Sequence, residues 1–312
     1  MIETPEPANR DNRSAVHARP PFFIVGAHRS GTTMLRLMLN KHRSIAIPFE
    51  SAFIPSFYRK LNEYGDLREA ENLARLLHDI GEHEFVRKGK LIADPAAILS
   101  DRVSSYAELV DRIFASYAKR AGKIRWGDKT PGYLTEVDVL RSLFPDCRII
   151  HLVRDGRDVA LSLSNVSWGS SHLPRVAQDW RWKTILAHKM GTLLGDQYLL
   201  VRYEDLVLQT ENTLRRICLF LEEPYDASML DYHRTSTQEM PENSMQWHMT
   251  SVKPPDPSKL FLWKQKMTES DQIIFDQLAG DALELFGYEN VHRNPTVRSR
   301  FKSLYYTIIR RW

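Results

Sequence analysis

The sequence predicts an α/β protein: a parallel β-sheet flanked by helices, with a helical insert. Three observations predict it. Short apolar runs, FFIV at 22–25, RIIHLV at 148–153 and YLLV at 198–201, alternate with segments of helical period. The first run feeds a glycine-rich loop, GAHRSGTT at 26–33, and then a helical pattern through Met34, Leu35, Met38 and Leu39. Each strand candidate ends on polar residues, where ligands bind beyond the carboxyl ends of a parallel sheet.

Residues 1–20 are polar, contain Pro5, Pro7 and Pro20, and predict a disordered arm. One α/β domain is expected over 21–290. Its second strand is the short SIAIP at 44–48, followed directly by Phe49, Glu50 and Ser51. Residues 55–121 carry periods near 3.6 and predict the helical insert. IRWG at 124–127 reads as a third strand ending in Asp128-Lys129-Thr130-Pro131. Helices are expected over 137–143, after residues 154–157 through Val159, Ala160 and Leu163, and over 175–194, 210–221 and 268–286. Residues 232–258 hold few periodic apolar residues and four prolines, the pattern of a long loop or lid.

A net charge of +4 is mild and gives no argument for nucleic acid. Cys147 and Cys218 both fall in apolar patterns and read as reduced core thiols. No window approaches the ~18 apolar residues of a membrane span, and the N-terminus has no apolar signal region. A cytoplasmic protein is the expectation.

The candidate site residues sit at strand ends: Arg29 after the first, Glu50 the second, Lys129 the third, Arg154 the fourth and Tyr203 the fifth. A strand, glycine loop and helix aim backbone N–H groups and a helix dipole at one point, which suits phosphate or sulfate. Gly26-x4-Gly31-Thr32-Thr33 resembles a Walker A loop, which makes the sheet P-loop-type, but Thr32 replaces the lysine. That weighs against an ATPase or GTPase, and Arg29 offers a cation instead. Arg154 and Ser162 lie eight residues apart across a strand–helix junction and can face one terminal phosphate. Equally, Arg154 can pair with Asp155 at the surface while Ser162 faces solvent.

The chain resembles the sulfotransferases that use 3′-phosphoadenosine 5′-phosphosulfate (PAPS). Arg29-Ser30-Gly31-Thr32-Thr33 is similar to their 5′-phosphosulfate loop, and residues 152–162, with Arg154 and Ser162, to their 3′-phosphate motif. The blocks at 126–131 and 201–206 resemble two further family segments. The resemblance implies that Arg29 to Thr33 hold the phosphosulfate, that Arg154 and Ser162 hold the 3′-phosphate, and that Tyr203 contacts the adenine side. Ser258 and Lys259 resemble, more loosely, a late segment closing over the 3′-phosphate.

Glu50 follows Arg29 by 21 residues, the interval of the general base in the tyrosylprotein branch. The histidine base of the cytosolic small-molecule branch corresponds to Pro131 here. The resemblance is therefore closer to the tyrosylprotein and carbohydrate-type bacterial branch, with Glu50 as base, Arg29 and Lys129 stabilising charge, and Asp128 the alternative base. PAPS is the expected co-substrate and no metal is expected.

After Glu289 the chain has no acidic residue, and Val297, Phe301, Leu304, Ile308 and Trp312 recur among arginines and Lys302. Residues 291–312 thus read as a basic amphipathic tail, suited to the inner membrane surface or to packing on the domain. The acceptor is expected to be a hydroxyl of a carbohydrate, glycolipid, tyrosine or small alcohol. The competing functions are a P-loop kinase or NTPase, kept open by Asp155, and an inactive anion- or lipid-binding module.

Overall fold

The structure, a computed structural model, describes residues 19–100, 102–241 and 244–292. The expected arm and basic tail fall almost wholly on 1–18 and 293–312, outside the described residues.

Five strands form one parallel sheet: β1 (Phe22–Val25), β2 (Ile45–Ala46), β3 (Arg125–Lys129), β4 (Arg148–Val153) and β5 (Tyr198–Arg202), in the order β2-β3-β1-β4-β5. β1 is central. Its four residues have no exposed surface, as a strand covered by helices on both faces requires. Successive side chains alternate between faces. Phe23 and Val25 join one core cluster, built largely from the insert. Phe22 and Ile24 join another with the helix α1, Thr32–Asn40, and the helix Thr210–Leu221.

Among the described residues the insert folds as five α-helices and one 3₁₀ turn, of which Ala70–Glu82 and Tyr106–Arg120 are the longest. Its Phe114 stacks on Trp126 of β3 with ring centroids 4.6 Å apart. Beyond β4, the helix Gly156–Ser164 is capped by Asp155, whose carboxylate accepts the Arg157 N–H. The helices Leu173–Thr192 and Glu269–Leu285 pack beside it around Trp180 and Phe275. Residues 232–258, read as a loop, carry one turn of helix, Met245–His248, among short 3₁₀ turns. Both cysteines are buried and free. No helix among the described residues is long and apolar enough to cross a membrane.

β3 extends two residues beyond the sequence expectation, to Lys129. Asp128 and Lys129 are therefore neighbours on a strand and fall on opposite faces. That separation decides their roles below.

Candidate active site

The loop between β1 and α1 is held in a backbone that few residues adopt. Gly31 has φ +91°, and a Cβ added there would meet the Tyr203 ring at 2.3 Å. Only glycine satisfies both the left-handed conformation and the close approach. Arg29 is itself left-handed, at φ +70°. The Ser30 N–H bonds the Ala27 carbonyl at 3.1 Å, closing the turn. Ser30 is fully buried, yet its hydroxyl has no partner. Thr32 and Thr33 are buried in the first turn of α1, where N–H groups lack intrahelical partners.

A cleft of about 400 Å³ opens on this loop, within the range of small-molecule sites. At one end Lys129, fully buried, pairs with Glu50 at 2.5 Å and donates to the Thr33 hydroxyl at 3.4 Å. Its Nζ also lies 5.0 Å from the centre of the Phe49 ring. Burial lowers the Lys129 pKa, and Glu50 partly restores it. A buried ammonium with a carboxylate beside it stays charged at lower cost than one alone.

At the other end Arg154 lies over the Tyr203 ring at 4.8 Å and donates to the Arg29 carbonyl at 3.2 Å. Its Nε is buried without a partner. Between the two ends, Arg29 Nε donates to Ser162 Oγ at 3.0 Å and Nη1 to the Trp247 carbonyl at 2.7 Å. Burial, then the neighbouring Arg154 charge, lowers the Arg29 pKa. Two guanidiniums converging on one cleft is an arrangement that an anion relieves.

Asp128 points away from this cleft. Ser51 Oγ donates to it at 2.6 Å and Thr130 Oγ1 at 3.2 Å, while Ser51 also contacts the Tyr133 hydroxyl at 3.0 Å. Burial raises its pKa to about 6 against the pull of those donors. Its Oδ2 accepts both bonds, and the one from Ser51 ties the strand end to the chain after Glu50.

Of the residues expected in the site, Arg29, Gly31, Thr32, Thr33, Glu50, Arg154, Ser162 and Tyr203 line the cleft. Ser30 and Lys129 support it from behind. Ser162 bonds Arg29, so Arg29 stands between it and Arg154. Arg154 pairs with Asp158 at 3.5 Å rather than with Asp155, which holds Arg157 at 2.8 Å. Ser258 and Lys259 are exposed and outside the cleft lining; Lys259 touches the site through its carbonyl, 3.4 Å from Arg154.

The sequence reading missed an aromatic wall of Phe49, Phe85, Trp168, Trp247 and two imidazoles, His28 and His248. Trp168 meets His28 and Trp247 edge-on, at 5.7 and 6.5 Å. Burial lowers the pKa of both imidazoles, to about 3 for His248, where Lys129 and Arg29 add to the effect. Tryptophans in otherwise polar, aperiodic stretches were the available signal.

The profile of the Sulfotransferase family matches residues 20–227, about two thirds of the chain. Nodulation protein NoeE of Sinorhizobium fredii is 25% identical over 91% of this chain and 72% of its own length. Protein-tyrosine sulfotransferase A of Caenorhabditis elegans is 24% identical over 86% of this chain and 67% of its own. The chain spans 29% of the length of another bacterial relative, from Aquifex aeolicus. Among solved structures, the sulfotransferase domain of the Synechococcus olefin synthase superposes with a TM-score of 0.57 and 25% identity, covering 89% of this chain and 98% of that one. The matched segment contains the glycine loop, Glu50, Lys129, Arg154, Ser162 and Tyr203, and the chain belongs to the sulfotransferase family of sulfuryl-transfer enzymes.

Proposed function

We propose that the enzyme transfers the sulfuryl group of PAPS to an acceptor hydroxyl, with Glu50 as general base. The observation that carries this reading is the 2.5 Å pair of Glu50 and Lys129 at the mouth of the anion loop. A carboxylate beside a buried cation supports proton removal and charge stabilisation there.

The residues fit the co-substrate. The unpartnered Ser30 hydroxyl and the N-terminus of α1 suit the 5′-phosphosulfate, and Arg154, with its free Nε, suits the 3′-phosphate. Tyr203, already against Gly31 and Arg154, suits the adenine side. Ser162 contributes by orienting Arg29. Ser258 and Lys259 lie too far out to contribute more than the Lys259 carbonyl.

PAPS supplies the sulfuryl group and departs as adenosine 3′,5′-bisphosphate, taking the electron pair of the broken S–O bond. Glu50 takes the acceptor proton, work worth ~10²–10⁴-fold in rate. Arg29 and Lys129 hold positive charge where negative charge develops, without reorganising. Lys129 also fixes the Glu50 carboxylate in position before reaction. Asp128, committed to Ser51 and Thr130, is left to a supporting role. The same holds against the NTPase alternative: the Asp155 carboxylate is consumed by Arg157 and by capping a helix.

Glu50→Gln is the test. It should lower kcat at least ~10²-fold while adenosine 3′,5′-bisphosphate binds as before. Wild-type turnover with intact binding overturns the base assignment. Binding of Mg-ATP without PAPS would favour the kinase reading, and bisphosphate binding without turnover on any acceptor the inactive module. The names of the protein-tyrosine sulfotransferase relatives favour a tyrosine hydroxyl as acceptor. The acid-free sequence after Glu289 supports peripheral contact with an anionic membrane at the cytoplasmic face. Equal pelleting of the full chain and residues 1–291 with liposomes would remove that idea.

A further inference from the structure

A second cavity, about 330 Å³, adjoins the anion cleft. His28, Pro131 and Trp168 line both, so they form the wall between them. Glu50 lines the first cavity and Lys183 the second, and His28 lines both. The second cavity therefore lies across His28 from the one that Glu50 lines.

Its lining divides in two. The inner part is apolar, with Leu134, Val159, Leu163 and Val176. The helix Leu173–Thr192 adds Trp180, which is 2% exposed and whose indole N–H has no partner. The same helix adds two cations and one acid at the rim, Arg175, Lys183 and Asp179. Asp179 is taken by Lys183 at 3.4 Å. The Arg175 guanidinium has no partner among the described residues. An indole N–H left unmet in an apolar wall costs desolvation free energy, and a free guanidinium fork at the rim matches a carboxylate.

We infer that this cavity holds the body of the acceptor, and that the acceptor is a hydroxy acid: a hydroxyl reaching Glu50 past His28, an apolar middle, and a carboxylate held by Arg175 at the rim. The inference rests on the sulfuryl-transfer reading above and narrows its acceptor. In the reaction the acceptor oxygen bonds sulfur, its proton passes to Glu50, and the S–O bond to the nucleotide phosphate breaks.

The test is calorimetry on the full chain, with and without adenosine 3′,5′-bisphosphate. The probes are 12-hydroxydodecanoate, 4-hydroxyphenylacetate and the primary amides of both. At least one acid should bind about ten-fold or more tightly than its amide. Arg175→Ala should level that preference and leave nucleotide affinity unchanged. Leu163→Trp, which fills the cavity, should weaken acid and amide together; its melting curve reports whether it is folded. The inference is overturned if no acid outbinds its amide, or if the preference survives Arg175→Ala. Loss of nucleotide binding in the wild-type chain would instead strike at the sulfuryl-transfer reading, and the nucleotide-free titration still judges the cavity.

Discussion

Ser51 donates a 2.6 Å hydrogen bond to Asp128, one residue along each chain segment from the 2.5 Å ion pair of Glu50 and Lys129. Two adjacent residues after β2 thus meet two adjacent residues of β3, one pair on each face. The Ser51–Asp128 pair fixes the backbone from which the Glu50–Lys129 pair projects. Ser51→Ala leaves the Asp128 carboxylate short of a donor and should cost about 1–3 kcal/mol at neutral pH, read from urea unfolding. Turnover should fall more than nucleotide affinity, because the loosened residue is the neighbour of Glu50. Equal losses in both would mean the bond serves stability alone.

Asp128 also sets a pH dependence. Its pKa in the folded protein, about 6, stands above the ordinary value of 3.8 because burial outweighs its donors and Lys129. Between those values the folded chain holds a proton that the unfolded chain has released. Stability from this group therefore falls as pH rises from about 4 to about 6 and levels off above. Asp128→Asn should flatten that slope, measured as urea midpoints across the window. An unchanged slope would show that Asp128 is already ionised in the folded state.

Gly31→Ala should destabilise the protein by about 1–2 kcal/mol through its left-handed backbone alone. The added Cβ also strikes Tyr203, so adenosine 3′,5′-bisphosphate affinity should drop as well. Adding Tyr203→Leu should relieve the clash and leave the backbone strain, recovering only part of the stability. Full recovery in the double variant would show that the clash is the whole effect.

Arg154→Ala should weaken adenosine 3′,5′-bisphosphate by about 1.5–3 kcal/mol, roughly 10- to 150-fold, the range for hydrogen bonds to a charged group. Adenosine 5′-phosphate, which lacks the 3′-phosphate, should bind almost as it does to wild type. A parallel loss for both nucleotides would place Arg154 elsewhere on the ligand.

Arg157 belongs to the scaffold. It is buried between Asp155 at 2.8 Å and Asp276 at 3.1 Å, and lies 3.4 Å over the Trp263 ring. Arg157→Met strands two buried carboxylates and should cost about 3–5 kcal/mol in chemical denaturation. A loss under about 1 kcal/mol would mean that solvent reaches the cluster.

Much of this protein was written locally in its sequence. Continuous apolar runs gave the strands because a strand covered on both faces has no reason to alternate. The glycine loop showed itself through residue type, since only Gly31 tolerates its backbone and its neighbour. The residues that line the cleft were readable because a parallel sheet gathers the residues after its strands at one edge. The tertiary structure decided what no local pattern encodes. Strand alternation turned Lys129 toward Glu50 and Asp128 away from it, which separated the cation from the alternative base beside it in sequence. Long-range packing put Arg29 between Ser162 and Arg154, and kept Ser258 and Lys259 at the surface. The aromatic wall of Trp168 and Trp247, and the second cavity against the helix Leu173–Thr192, come from segments far apart in the chain. Their proximity is set by the packing of helices on the sheet, and such distances leave no periodicity to read.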